Sequence, residues 1–444
     1  MHYQKVLKML ENIPYLSVGL DVGADFTWMS IMLPNGTLTG KPFKILHSDP
    51  ASRDLAVTKI KEAQETYSLE SRCFLESTGI YHIPLLCFLR DKGFDCSVIN
   101  PIITKNSTNM NIRKLHNDKF DSKKAAKVGL DLSLKTSIIP DDNVADLRNL
   151  VRDYYYFKDL QSAIVLKLNA ELKVSFPLYL RVFSKITTQI SLKLLDAYPL
   201  AADMLAASKD KLVETIRKTT RFGEKYVLAK YDAICSAAKD ASVFGRALPS
   251  NALRIRRYIK TYREYQKHLD DILDELHKSV DNMQGKPVYG RIRLLQSLHG
   301  VGFLSSVILI AEMGDFDLFS SPKKLYAYFG LDPAVKQSGK FTGDKVHMSK
   351  RGSSLARRIL HMVALNNLKV NKGTKKPVNP VIHSYYTDKC KNKKKNVAIG
   401  AVMHKICNII FAMLRDNKPF EIITPKEHCE HYAAEHPTKV DKAA

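Results

Sequence analysis

Ser17-Val18-Gly19-Leu20-Asp21-Val22-Gly23 decides how the first part of the chain folds. Its apolar residues alternate, which predicts a strand with Val18, Leu20 and Val22 on one face and Asp21 on the other. A second strand is predicted over residues 28–33, ending at the turn signal Pro34-Asn35-Gly36, so Asp21 stands on the first strand of a meander. Cys73-Phe74-Leu75-Glu76 reads as another strand; Ser77-Thr78-Gly79 then leads into a helix carrying Leu85, Leu86 and Leu89 and stopped at Gly93. Glu76 therefore projects from a strand's C-terminal end. Cys96-Ser97-Val98-Ile99-Asn100-Pro101 reads as a short buried strand. A basic stretch, Lys105 to Lys119, brings the chain to Asp118 and Asp121, which share one face if a helix running through Lys123-Lys124-Ala125-Ala126 starts there.

Asp21, Glu76, Asp118 and Asp121 thus offer four carboxylates able to converge on divalent metal. Asp and Glu are the hard oxygen ligands that Mg²⁺ prefers, and two-metal phosphodiester chemistry uses such a set to hold its ions about 3.5–4 Å apart. Carboxylates from a first strand, a later strand end and a helix are the arrangement of ribonuclease-H-like nucleases. Taken singly, each acid reads as a solvated surface residue. The set gains weight because every member falls at a strand or helix edge, in a chain that is otherwise basic.

That basic balance is large: 69 Lys and Arg against 45 Asp and Glu, a net charge of +24 over 444 residues. It favours polyanionic partners, through release of counterions from phosphates. With 45% hydrophobic and 26% charged residues the chain is long enough and apolar enough for two or three folded domains. Its seven cysteines are scattered without a CxxC pair, which argues against a disulfide framework or a zinc ribbon and for a reducing compartment. The N-terminus opens an amphipathic stretch rather than an apolar signal core, and no run of about eighteen apolar residues is expected, so the expected location is cytoplasmic, without a membrane.

From 144 to 290 the pattern is helical. Leu147, Leu150, Tyr154, Phe157, Gln161, Ile164 and Leu168 alternate by three and four, and Ile255, Tyr258, Tyr262, Tyr265, Leu269, Ile272 and Leu276 repeat the pattern. Two long helices are expected, paired as an antiparallel coiled coil or packed on a globular body. An inserted helical subdomain spans roughly 180–250. From 291, a helix, Gly300-Val301-Gly302 and an apolar helix over 304–311 have the form of a helix-hairpin-helix, whose glycines let backbone amides approach a phosphate; a tight turn without a ligand fits equally. Gln337-Ser338-Gly339-Lys340 and His347-Met348-Ser349-Lys350-Arg351-Gly352 follow, then a helix with Arg357 and Arg358, a lysine-rich loop over 389–395, and a helix over 397–414. Residues 424–444 read as a disordered tail whose His428, Cys429, His431 and His436 only loosely resemble metal spacing. Tyr154, Tyr155 and Tyr156 suit either base stacking or core packing, and Lys105, Arg113, Lys114 and Lys119 suit either a phosphate track or a plain surface loop.

Five of these motifs, taken in order, carry a resemblance: Gly19-Leu20-Asp21-Val22-Gly23, Leu75-Glu76-Ser77-Thr78-Gly79-Ile80-Tyr81, Ser97-Val98-Ile99-Asn100-Pro101, Asn117-Asp118-Lys119-Phe120-Asp121, and Ser338-Gly339 with Met348-Ser349-Lys350-Arg351-Gly352. Together they are similar to the DEDD-type insertion-sequence transposases. The resemblance implies an α/β RuvC-like domain of the RNase H class over 1–143, a coiled-coil arm over 144–290 and an α-rich, serine-bearing transposase domain over 291–423. It further implies that Asp21, Glu76, Asp118 and Asp121 bind Mg²⁺ and that Ser338 is the nucleophile. The implied partners are donor and target DNA, a non-coding bridge RNA and further copies of the chain, as a dimer that pairs into a tetramer. Ser338 of one protomer would meet the carboxylates of another. Lys350, Arg351, Arg357 and Arg358 are placed to bind DNA phosphates, with Gly300 and Gly302 contributing backbone amides. Three departures stand out: Ser122 follows the fourth acid where the family has Ala, the segment over roughly 180–250 is longer than in compact members, and Ala356 precedes the arginine pair where Leu is common. On the residues alone, Ser338 reads as a flexible Ser-Gly turn, and a metal-dependent nuclease using water or a nucleic-acid-binding scaffold are the rival functions.

Overall fold

The strand through Asp21 forms, but it is buried on both faces. A computed structural model describes residues 15–77, 79–100, 103, 118–131, 134, 141–333, 337–338, 341–342 and 347–435. The chain divides into two compact units, Met1–Pro140 and Asp141–Ala444.

In the first unit β1 (Tyr15–Val22) pairs antiparallel with β2 (Phe26–Met32), and β2 with β3 (Phe43–Leu46). After α1 (Pro50–Tyr67), β4 (Glu70–Glu76) joins the other side of β1 in parallel; α2 (His82–Asp91) then leads to β5 (Asp95–Ile99), parallel to β4. The order is β3-β2-β1-β4-β5, a mixed sheet compatible with the RNase H-like fold expected of this region. Val18, Leu20 and Val22 pack with Ala56, Val57 and Ile60 of α1 and Leu85, Leu86 and Leu89 of α2. The opposite face is covered by α3 (Asp118–Gly129), so Ser17 and Gly19 are buried as well. One-sided alternation was expected of β1; the second cover, α3, arrives from a hundred residues away and leaves no mark in the local pattern. The start of α1 carries a plain signal: the Asp49 side chain accepts from Ala51 N and Pro50 opens the helix.

The second unit opens with α4 (Asp142–Ser175). Then come α5 (Tyr179–Val182), α6 (Gln189–Ala197), α7 (Ala201–Ala206), α8 (Lys209–Arg217), α9 (Glu224–Phe244) and the long α10 (Pro249–Asp281). α4 and α10 pack antiparallel. Near the start of the contact Phe157 lies 6.1 Å from Tyr265, further along Gln161 Nε2 donates to Gln266 Oε1 at 2.9 Å, and Glu171 meets Arg254 at 2.9 Å. The short helices between them have a core of their own, Tyr179, Leu194, Leu195, Met204 and Ile216, which is continuous with Leu168, Leu172 and Phe176 of α4 and Ile255 and Ile259 of α10.

The rest of the unit comprises α11 (Pro287–Leu295), α12 (Phe303–Met313), α13 (Pro322–Tyr328), the hairpin β6 (Gln337–Ser338) and β7 (Phe341–Thr342), α14 (Ser354–Asn367), α15 (Pro380–Ser384), α16 (Lys395–Asp416) and α17 (Pro425–Glu435). Two expectations need correction. Residues 425–435, expected to be disordered, form α17. Thr424 and Glu427 cap it reciprocally, Thr424 N donating to Glu427 Oε2 at 2.6 Å, and Arg415 lies over Tyr432 at 4.3 Å. Residues 436–444, with His436, lie outside the described residues. α16 is also long and apolar enough to cross a membrane by composition, where no such run was read. Its apolar positions Ile399, Val402, Ile406, Ile410 and Leu414 are buried within the unit, as in the core helix of a water-facing domain.

Candidate active site

Backbone contact between α3 and β1 positions the acidic cluster. A Cβ on Gly19 would fall inside the van der Waals radii of Ala126 N and Ser122 O, so only glycine lets the helix rest directly on the strand. Hydroxyl groups fix the register. Ser17 Oγ donates to Ala126 O at 2.7 Å, Tyr15 Oη to Gly129 O at 2.9 Å, and Ser30 and Ser122 share a hydrogen bond of 2.8 Å. Ser122, the departure from the expected Ala, is thus fully buried and part of the seat.

The helix so placed begins with Asp118 and Asp121, and the strand beneath it ends near Asp21. Glu76 ends the neighbouring parallel strand β4. Asp21 registers the grouping: burial, then the charges of Asp121, Asp118 and Glu76, push its carboxyl up to about 7, against a smaller opposing pull from Lys124. The other three expected acids therefore all act on the ionisation of Asp21.

Lys124, which sequence reading passed over, is 2.5 Å from Asp121 Oδ1. Its i,i+3 spacing on a helix was the available signal. Among the described residues no three His, Cys, Asp or Glu side chains are close enough to close on one ion. The two observations agree, because charges act over longer range than a coordination bond and Asp121 is held by an ammonium. An all-oxygen, anionic donor set that already carries a cationic stand-in suits a hard divalent cation.

In the second unit Ser338 lies on β6, where it registers with Phe341 of β7. The base of this hairpin is clamped. Pro333 bridges to Met348, Ser349 N donates to Asp332 O at 2.8 Å, the Ser349 hydroxyl bonds the Asp332 carboxylate, and Lys350 N donates to Gly330 O at 3.0 Å. Gly352 sits so close to Tyr328 O and Gly330 N that a side chain there would displace the backbone. Below it Glu312, 3% exposed, takes a bidentate pair from Arg152 at 2.8 and 3.0 Å. Burial works to raise the Glu312 carboxyl; the Arg152 guanidinium, Ser353 and Arg148 together outweigh it and hold the group below its ordinary range.

The basic residues expected on DNA divide into two kinds. Lys350 and Arg351 are exposed. Arg357 donates from Nη1 to Phe329 O at 2.9 Å and Gly352 O at 2.7 Å, stapling the hairpin base. Arg358 Nη1 donates to both carboxylate oxygens of Asp159, at 2.8 and 3.0 Å, over the Tyr155 ring. Gly300 has a positive φ and packs on Asn366, while Gly302 is the residue before α12 and has open space beside it.

Comparison with known proteins bears on the same two regions. Residues 18–177 match a family model described as a transposase, of the DEDD type associated with IS110. Residues 292–379 match a second, described as a transposase of the IS116/IS110/IS902 family. Among curated proteins the chain is similar to the insertion element IS110 uncharacterized 43.6 kDa protein of Streptomyces coelicolor, at 23% identity over 52% of this chain and 53% of that one. It is also similar to the pilin gene-inverting protein of Moraxella bovis, at 28% over 37% of this chain and 50% of that protein. A putative transposase of Sinorhizobium fredii is 35% identical over 26% of this chain and 31% of its own. The chain spans about half the length of the first of these relatives.

Proposed function

We propose that this chain, which carries both domains of the IS110 transposase family and so belongs to it, cuts and rejoins DNA as an RNA-guided transposase in the cytoplasm. The observation that carries the reading is the gathering of Glu76, Asp118 and Asp121 around Asp21, at the ends of β1 and β4 and the start of α3, within a chain of net charge +24. Four anions gathered against their own repulsion suit a site that expects cations and a phosphate, and the basic surface suits a polyanion.

Asp21, Glu76, Asp118 and Asp121 would hold Mg²⁺, which when bound supplies positive charge where the scissile phosphate gains negative charge. Ser338 Oγ attacks phosphorus; the new O–P bond replaces the bond to a deoxyribose oxygen, which leaves with a proton as a hydroxyl. The phosphoserine link keeps the energy of the broken ester, so a deoxyribose hydroxyl from another end reverses the step and seals the exchanged strands without ATP. The clamped base around Asp332, Ser349 and Gly352 supports this by limiting how far the hairpin can wander. Lys350 and Arg351 fit the flanking phosphates. A bridge RNA would choose donor and target by base pairing, and the serine of one protomer would act with the carboxylates of another in a dimer that pairs into a tetramer.

The test is a denaturing gel for covalent protein–DNA adducts, with labelled element-end DNA, Mg²⁺ and RNA co-purified with the protein. An adduct in wild type that is absent from Ser338→Ala is expected. Cleavage without an adduct in both would point instead to a metal-dependent nuclease using water.

A further inference from the structure

Between Asp344 and Asp416 the chain has one acidic residue, Asp388, and its carboxylate is taken by Ser384 Oγ at 2.6 Å and Thr387 Oγ1 at 3.0 Å. Directly after it Lys389, Lys391, Lys393, Lys394 and Lys395 are all exposed. Among the described residues none of the five pairs with a carboxylate, whereas Arg358 and Arg415 of the same stretch do. The loop is a fixed platform. Cys390, 2% exposed, is buried beneath it, Lys393 N donates to Cys390 O at 2.9 Å, and Lys405 of α16 lies over Tyr385 at 5.1 Å. Several like charges held close together on such a platform repel one another in the free protein, and a polyanion relieves that repulsion.

The loop lies at the hairpin end of the unit. At the opposite end Asn367, closing α14, donates to His299 O at 2.7 Å, and Phe420, just past α16, meets the His299 ring edge-on at 5.5 Å. α14 and α16 therefore run parallel. Midway along α16, His404 Nε2 donates to Leu331 O at 2.9 Å, at the base of the Ser338 hairpin. Lys395 stands nine residues earlier, about 13 Å further along the helix axis. That is about four base-pair steps of duplex.

We propose that the loop Lys389–Lys395 is a phosphate clamp that grips a DNA duplex beside the strand offered to Ser338. Lysine ammoniums are point charges without the planar fork that reads base edges, so the grip is independent of sequence. DNA is the occupant because the loop shares its end of the unit with the hairpin, Lys350 and Arg351. The inference rests on Ser338 as nucleophile for its purpose, but binding tests it without cleavage.

The experiment measures fluorescence anisotropy of a labelled 40-base-pair duplex with the full chain over a salt series. It compares wild type, Ser338→Ala, and Lys391, Lys393, Lys394 and Lys395 all changed to Gln or all to Arg. A control changes Lys369, Lys372, Lys375 and Lys376 to Gln, removing equal charge at the far end of α14. The loop Gln variant should lower the slope of log K against log salt by up to about 3.6, at about 0.9 for each of the four phosphates left unneutralised, and weaken binding at least tenfold at about 0.15 M salt. The Arg variant and Ser338→Ala should keep the wild-type slope, and the far-end variant should fall by less than half as much. Thermal melting checks that each variant folds. Equal weakening by the two Gln variants would overturn the proposal, as would a wild-type slope in the loop variant or a weakening seen with single-stranded RNA and not with duplex DNA. Adducts that persist in Ser338→Ala would instead sink the nucleophile assignment and leave these slopes standing.

Discussion

Asp21 holds its proton in the folded protein to about pH 7, well above the ordinary 3.8 of an unfolded aspartate. Folding therefore favours its protonated form: the stability it contributes is complete below about pH 4 and is lost as the pH rises through about 7. In EDTA, the melting temperature of wild type relative to Asp21→Asn should fall between pH 5 and pH 8, and added divalent cation should restore it at pH 8; a pH-independent difference would contradict the shift. Gly19 sets a second constraint. Gly19→Val forces α3 off the sheet, an overpacking cost of about 3 kcal/mol or more because backbone must move, measurable by urea denaturation. A loss under about 1 kcal/mol would mean that the helix does not rest on the strand as described. The four acids were legible because each ends a recognisable strand or opens a helix. Their supports were not, since Ser17 with Ala126 and Ser30 with Ser122 are pairings across a hundred residues that no local pattern carries.

Where elements meet, hydrophobic spacing carried the reading furthest. The two heptad runs that predict long helices form α4 and α10, and Gln161, the amide in the first run, has a partner in Gln266. Gln161 is 3% exposed, so removing Gln266 strands the Gln161 amide N–H, whereas Gln266 is half-buried and keeps Asp270 as a partner. Gln266→Leu should destabilise by about 1–3 kcal/mol and Gln161→Leu by less, while the double variant should come close to wild type or exceed it. Additive losses in that cycle would show that the amides do not act as a pair. β3 and α17 escaped notice for different reasons. A four-residue strand has too few positions to display a period, whereas the capping sequence Thr424-Pro425-Lys426-Glu427 was in view and was outweighed by the polarity of the tail. Charge alone does not tell what Arg357 and Arg358 do in the free protein: both are expected on phosphates, and both also hold the protein itself.

For the molecule as a whole, the inserted helices are not an appendage to be trimmed, because their core is completed by both long helices. Replacing residues 178–247 with a short glycine-serine linker would expose Leu168, Leu172, Phe176, Ile255 and Ile259, each worth about 1.5–3 kcal/mol when buried. Aggregation on size exclusion is the expected result, and a monomer with the wild-type urea midpoint would refute the shared core. α4 joins these regions as one unbroken rod. Arg148 and Arg152 near its start fasten it to Ala311 and Glu312 beneath the hairpin base, and Leu172 near its end lies in the inserted core. The 24 residues from Arg148 to Leu172 measure about 36 Å along the axis. Such a rod is a lever: a tilt of about 5° imposed by anything that seats on the inserted helices sweeps the far end by about 3 Å, the scale that separates reacting atoms that touch from atoms held apart. Anything that seats on the inserted helices and tilts α4 would therefore pull on the hairpin base through Arg148 and Arg152.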